Sequence, residues 1–376
     1  LEVCGIETVA MESTGVYWIP FYEILEARGF EVYLVNARHA NNLPGRKKDE
    51  EDAQWLRRLH TFGLLNNSFR PASEMRALRA YMRHRSGLIE HRAAHIQHMQ
   101  KALLQMNLRL SPTVKDITGV TGMAIIHAIL AGERDPLQLA QLRQPGCAKS
   151  EAEFVKALTG NYREEHLFAL KQALSLYQAY TQQIRECDQE LERKFSALKP
   201  VHDDELPPLD TSDKRNTHSK NAPAYDARTL LYQKLGVDLV AVHGLNEVTA
   251  QIIVTEVGTD MSRWKNEKHF CSWLGLAPHN DISAGKVLRS RTLKTRSRAG
   301  QAFRLAAQAA SKTNTEYGVF YRRTRARLGP KKAMVATAHK IARAVYFMLR
   351  NRQPFHSLTA EEYAQRTRDR ELARLT

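Results

Sequence analysis

Between Leu167 and Leu198 the chain carries a heptad pattern that is best satisfied by a long helix laid against another helix. The a and d positions are Leu167, Leu170, Leu174, Tyr177, Thr181, Ile184, Asp188, Leu191, Phe195 and Leu198, and eight of these ten are apolar. Sustained over more than four heptads, this is a coiled-coil signal. An earlier stretch, Ser73 to Leu108, repeats Met75, Met82, Ile89, Ile96 and Leu103 at intervals of seven. Two core helices of a bundle satisfy the pattern, and so does an antiparallel arm between domains or a dimerisation arm.

The residues before this region read as α/β. Glu7–Met11 is a short β-like run ending in Glu12-Ser13-Thr14-Gly15, and an amphipathic helix follows near Trp18–Arg28, stopped by Gly29. Glu31–Val35 alternates as a second strand. A basic, Asn-rich loop (Asn41 to Lys48) leads to Asp49, and Asp49–Phe62 has helical spacing. Strand, helix, strand, loop and helix predict part of a sheet covered by helices. Residues 201–227 are polar and aperiodic, as a linker is, and from Arg228 to Arg350 the pattern is almost wholly helical. The expected organisation is an α/β domain over 1–72, a helical or coiled-coil region over 73–200, a linker over 201–228, a helical domain over 229–350 and a loosely held charged tail over 351–376.

Charge is distributed unevenly along this framework. The formal net charge is +16, and residues 229–376 hold 26 Lys or Arg against 11 Asp or Glu. Between Lys286 and Arg350 there are seventeen basic side chains and one acid, Glu316. Charge this one-sided calls for a polyanionic partner, and nucleic acid fits better than an acidic membrane because the cations span several predicted elements. No apolar run approaches the roughly 18 residues of a membrane span. The four cysteines (Cys4, Cys147, Cys187 and Cys271) have no paired-ligand spacing, and the N-terminus is not a signal peptide, so a reducing cytoplasm is expected.

Four groups of residues can carry chemistry. Glu12 ends a predicted strand, and Asp49 and Asp52 lie one turn apart on a helix. Carboxylates so placed suit Mg²⁺, although acids at a helix start are also what the helix dipole favours. Leu239–Gly258, with a turn at His243-Gly244-Leu245, resembles a helix-hairpin-helix that offers backbone N–H groups to phosphate; an ordinary helical hairpin has similar spacing. The loop Gly275–Lys286 contains Ser283 beside small residues, followed by Arg289, Arg291, Lys294, Arg296 and Arg298, with Arg304 beyond. A serine there is a candidate nucleophile or simply a turn former, and Ser272, Ser290 and Ser297 compete with it. His91, His95 and His98 share a helix with His84 and have metal-ligand spacing, or are solvent and nucleic-acid contacts.

These pieces resemble one known family. Met11-Glu12-Ser13-Thr14-Gly15 is similar to its Glu–small–Thr–Gly motif, and Lys47-Lys48-Asp49-Glu50-Glu51-Asp52-Ala53 is similar to its Lys-x-Asp-x-x-Asp-Ala motif. The block from His243-Gly244-Leu245 through Trp273-Leu274-Gly275-Leu276-Ala277-Pro278 to Ser283-Ala284-Gly285-Lys286 resembles its second domain. The family is the DEDD-type insertion-sequence transposases, the insertion-sequence 110 family, in its 1111 group.

The resemblance implies a RuvC-like, RNase H-type domain joined by a coiled coil to a helical transposase domain with a helix-hairpin-helix-like element. It implies DNA recombination guided by a bridge-type RNA, in a homo-oligomer that pairs the acids of one subunit with the serine of another. Glu12, Asp49 and Asp52 would hold Mg²⁺, and Ser283 would be the catalytic nucleophile. Lys286, Arg289, Arg291, Lys294, Arg298, Arg304, His243 and Gly244 would bind nucleic acid. The family's first acid lies tens of residues before the Glu, whereas eleven residues precede Glu12 here and none is Asp. The expectation is therefore a chain lacking its first strands and weak in catalysis. The alternatives are a remnant that only binds nucleic acid and a RuvC-like junction nuclease.

Overall fold

The computed structural model describes residues 1–36, 49–201, 205–208, 220–292 and 297–373, the side chains of 49–51, 370 and 371 excepted. The chain divides into two compact units, Leu1–Pro71 and Ala72–Thr376. It is mostly helical, with two small sheets among the described residues.

In the first unit, β1 (Thr8–Glu12) and β2 (Glu31–Val35) pair in parallel, from Thr8 opposite Glu31 to Glu12 opposite Val35. Parallel neighbours need a crossover, and α1 (Trp18–Ala27) supplies it. The other edge of β2 is also occupied. The Leu34 N–H donates to Asn67 Oδ1 (3.0 Å), Asn67 Nδ2 donates to the Val32 carbonyl (3.2 Å), and the Ser68 N–H donates to the Leu34 carbonyl (2.7 Å). α2 (Asp49–Thr61) packs on β1, where His60 Nε2 hydrogen-bonds Thr8 Oγ1 at 2.8 Å and the ring meets Tyr33 edge-on. Val32, Leu34, Val35 and Leu59 are buried in this small core.

The second unit begins with two 33-residue helices, α3 (Ser73–Gln105) and α4 (Glu164–Ser196). They run antiparallel: Tyr81 and Arg85 meet Cys187 and Asp188, while His91 and His95 meet Tyr180. The heptad stripe turns inward, with Leu170, Leu174, Ile184, Leu191 and Phe195 buried. Each such side chain withdrawn from water is worth about 1.5–3 kcal/mol. Four short helices between residues 110 and 158 cap one end of the pair, closing a core around Met99, Leu103, Ile126, Phe154 and Leu170.

The remaining helices are α5 (Ala227–Leu235), α6 (Glu247–Val257), α7 (Glu267–Trp273), α8 (Arg298–Ala310), α9 (Glu316–Leu328), α10 (Pro330–Asn351) and α11 (Ala360–Leu372). Phe270 stands at their centre, its ring centroid 5.6 Å from Tyr346 and 6.3 Å from Phe303. Arg83 clamps Glu256 with two 2.8 Å bonds and Arg79 Nη2 donates to the Glu256 carbonyl, so α3 is tied to α6 within this unit.

Two expectations need correction. The region after Arg228 is interrupted by an antiparallel hairpin, β3 (Pro278–Ser283) with β4 (Lys286–Thr292). The 351–376 tail is not loosely held throughout: it contains α11, whose Tyr363 ring lies 4.0 Å from Lys340 Nζ, and Thr359 bridges to Thr315. Of the predicted linker, residues 202–204 and 209–219 lie outside the described residues. Its end is anchored, because Arg85 donates to the carbonyls of Asn221 and Ala222.

Candidate functional site

The acidic group belongs to the first unit. Glu12 is the last residue of β1, half-buried, and accepts a 2.5 Å hydrogen bond from Thr14 Oγ1. Gly15, at φ 59°, turns the chain toward α1, where Trp18 Nε1 donates to the Gly15 carbonyl. Asp49 opens α2, its side chain lying outside the described residues, and Asp52 follows one turn later, half-buried. Among the described residues no group of three or more His, Cys, Asp or Glu is gathered to hold a metal. Glu12 and Asp52 are nonetheless hard oxygen donors on elements that pack together, the chemistry a magnesium ion requires.

The second group is the hairpin. Ser283 lies opposite Lys286, so Ala284 and Gly285 alone make the turn, both with positive φ (47° and 76°). Positive φ at both central residues defines a type I′ turn, whose twist matches that of the strands it joins. Ile282 pairs with Val287 and Asp281 with Arg289, leaving Leu288 as an unpaired bulge residue. Cross-strand partners share a face and alternate residues face opposite ways. One face therefore carries Ser283, Lys286, Asp281, Arg289, His279 and Arg291, while Ile282 and Val287 lie on the other. Ser283, Lys286, Arg289 and Arg291 are all exposed, and Asp281 approaches Arg291 at 3.9 Å.

The competing serines are placed differently. Ser297 caps α8, accepting the Gly300 N–H at 3.1 Å. Ser290 pairs with Asn280 and so lies on the face away from Ser283, and Ser272 sits exposed on α7.

Other expected contacts are scattered. Arg298 is exposed at the start of α8, and Lys294 lies outside the described residues. Arg304 is half-buried, and its Nη2 donates to the Gly275 carbonyl at 2.9 Å, bracing the root of the hairpin; burial holds its pKa down. His243 and Gly244 point inward. The His243 ring is buried, with Nε2 2.5 Å from Ser357 Oγ and its edge against Phe355. Gly244, at φ 94°, passes so close to α8 that a Cβ would lie 2.2 Å from the Ala306 carbonyl oxygen. The His243 ring and the Gly244 Cα are thus both packed within this unit.

The histidines of α3 gather with an aromatic partner. His91 and His95 both stack on Tyr180, and His98 meets His95 edge-on. Burial, reinforced by His98 and His91, lowers the His95 pKa.

One feature escaped the sequence reading: His279 and Asp281 join the face of Ser283, signalled only by the two-residue period that the three share. Of the seventeen cations between Lys286 and Arg350, Arg322, Arg325, Arg327, Lys331 and Lys332 form a second exposed group around the junction of α9 and α10. Among the described residues no helix is long and apolar enough to cross a membrane.

Two family models match the chain. Residues 5–108 match a transposase model of the DEDD type of insertion sequence 110, and residues 238–322 match the transposase IS116/IS110/IS902 family. No curated protein matches the chain. The first match contains Glu12, Asp49 and Asp52; the second contains Ser283 and its basic face.

Proposed function

The chain belongs to the IS110 family of transposases, and on that premise we propose that it recombines DNA through Ser283, with Glu12, Asp49 and Asp52 as the acids that hold Mg²⁺. The observation that carries this reading is the shared face of the hairpin, where an exposed serine stands among Lys286, Arg289 and Arg291.

Attack of Ser283 Oγ on a backbone phosphorus forms a serine–phosphate ester and breaks one P–O bond of the DNA. The released sugar oxygen takes a proton. One phosphoester replaces another, so resealing needs no external energy source. Lys286, directly across from Ser283, and Arg289 beside it neutralise the phosphate being attacked. Magnesium, when bound, stabilises charge on the non-bridging and leaving oxygens. Glu12 at the end of β1 and Asp52 on α2, two elements that pack together, support a joint metal site on a RuvC-like domain.

The cations meet phosphates and read no sequence, so specificity is assigned to a guide RNA that pairs with donor and target. The active unit is a homo-oligomer, dimer or tetramer, in which the acids of one copy serve the serine of another.

The test is a denaturing gel of the full chain incubated with Mg²⁺, guide RNA and labelled DNA. A protein–DNA adduct that survives denaturation and disappears with Ser283→Ala is expected. Cleavage unchanged in Ser283→Ala would instead identify a hydrolytic nuclease.

A further inference from the structure

Behind the face that carries Ser283, the hairpin has an apolar edge that the reaction does not use. Ile282 and Val287, which lie on that side, and Leu288, which the bulge leaves outside the ladder next to them in the chain, are 62%, 54% and 72% exposed, at the tip of a ribbon whose strands are open to solvent along most of their length. A two-stranded ribbon of this kind is at best marginally stable alone in water, and three neighbouring apolar side chains at its tip are withdrawn from water only if something covers them.

The surroundings indicate the occupant. Three side chains fall far short of the roughly 800 Å² per partner that a stable protein interface buries. They match the scale of an apolar wedge entering between two stacked base pairs. Within two or three residues stand Lys286, Arg289 and Arg291, all exposed, which complement phosphates on either side of such a step. The bulge strengthens the local twist and sets Leu288 outside the ladder.

We propose that Ile282, Val287 and Leu288 form a wedge that inserts into duplex nucleic acid next to the phosphate facing Ser283, unstacking one base step while the opposite face grips the backbone. This inference rests on the proposed DNA recombinase function. It adds a role for the back of the hairpin: opening the duplex at the point of strand exchange. A wedge also directs Ser283 to a phosphate at a distorted step, where the backbone is more accessible than in a regular helix.

The experiment uses the full chain and a mixed-sequence DNA duplex carrying 2-aminopurine at each adenine position in turn, whose fluorescence rises on unstacking. The wild-type chain is expected to bind in a salt-dependent manner and to raise the fluorescence. The triple variant Ile282→Ser/Val287→Ser/Leu288→Ser is expected to bind with the same salt dependence while the rise is lost. Leu288→Ser alone, which disturbs the ladder least, is expected to lose part of it. Wild-type binding without a fluorescence rise, or an equal rise in the triple variant, overturns the wedge and leaves the recombinase reading standing. Conversion of an oligomer into monomers by the triple variant, seen in sedimentation, overturns the wedge in favour of a contact between copies. Absence of salt-dependent binding by the wild type overturns the DNA reading and the wedge with it.

Discussion

Arg85 and Asp188 close on each other in the seam between α3 and α4, with Nε 2.5 Å from Oδ1 and both residues 2% exposed. Asp188 is the charged member of an otherwise largely apolar stripe, and Arg85 is the reason it is tolerated. The pair is further satisfied by the Ala224 N–H, which donates to Asp188, and by the Asn221 and Ala222 carbonyls, which accept from Arg85. One buried ion pair thus secures both helices and the end of the segment that follows them.

Removing one member of a buried pair leaves the other charge stranded. Asp188→Ala is expected to cost about 3–5 kcal/mol in urea unfolding. Arg85→Met combined with Asp188→Leu should recover most of that loss. A double variant as unstable as the single one would show that the linker contacts, and not the charge, dominate.

Gly244→Ala should be destabilising on two counts. The left-handed backbone costs a residue with a Cβ about 1–2 kcal/mol, and the new methyl would press on the Ala306 carbonyl. Chemical denaturation is expected to show a loss of several kcal/mol, with the midpoint shifted and the slope unchanged. A loss confined to DNA binding, at unaltered stability, would assign this turn to phosphate binding.

His339 is half-buried on α10, beside Arg343 of its own helix and Glu267 of α7. Burial first, then Arg343, lowers its pKa, and Glu267 opposes them. The folded chain therefore takes up the proton later than the unfolded chain, whose pKa is about 6.5. The unfolded state binds more protons between the two values, so this contribution to stability is intact above pH ~6.5 and lost as pH falls through that window. His339→Gln should flatten the acid limb of a melting-temperature profile; an unchanged limb would assign the loss to other groups.

Lys286 and Arg289 are expected to act on DNA affinity through counterion release. Changing either to Gln should reduce the slope of log affinity against log salt by about 1, without altering sequence preference. Arg304→Gln should leave that slope unchanged and lower thermal stability, because its guanidinium is spent on the Gly275 carbonyl. A slope change for Arg304 alone would reverse these assignments.

Much of this architecture is legible in the residues. Alternation in Glu31–Val35, the stop at Gly29 and the acidic start at Asp49 mark the first unit's elements to within a residue or two. The heptad stripe identifies the buried face of α4. The hairpin is hidden because both its faces are wet, so no apolar alternation marks it, and because Ala284-Gly285 lacks the Asn-Gly signature of a tight turn. The inward turn of His243 is hidden for another reason: its partner Ser357 lies 114 residues away, and no local pattern can report that contact.

The bulge at Leu288 also carries an arithmetic consequence. Lys286 and Arg289 stand an odd number of positions apart, an interval that sends two side chains to opposite sides of a regular strand. Leu288, by dropping out of the pairing, makes the interval effectively even. Deleting Leu288 would preserve that parity, whereas a ladder that drew Leu288 into register would carry Arg289 and Arg291 to the side of Ile282. The electrostatic character of the serine's surroundings is therefore governed by a count as much as by composition: a single positional slip, with every residue retained, would leave Ser283 with Lys286 as its one close cation.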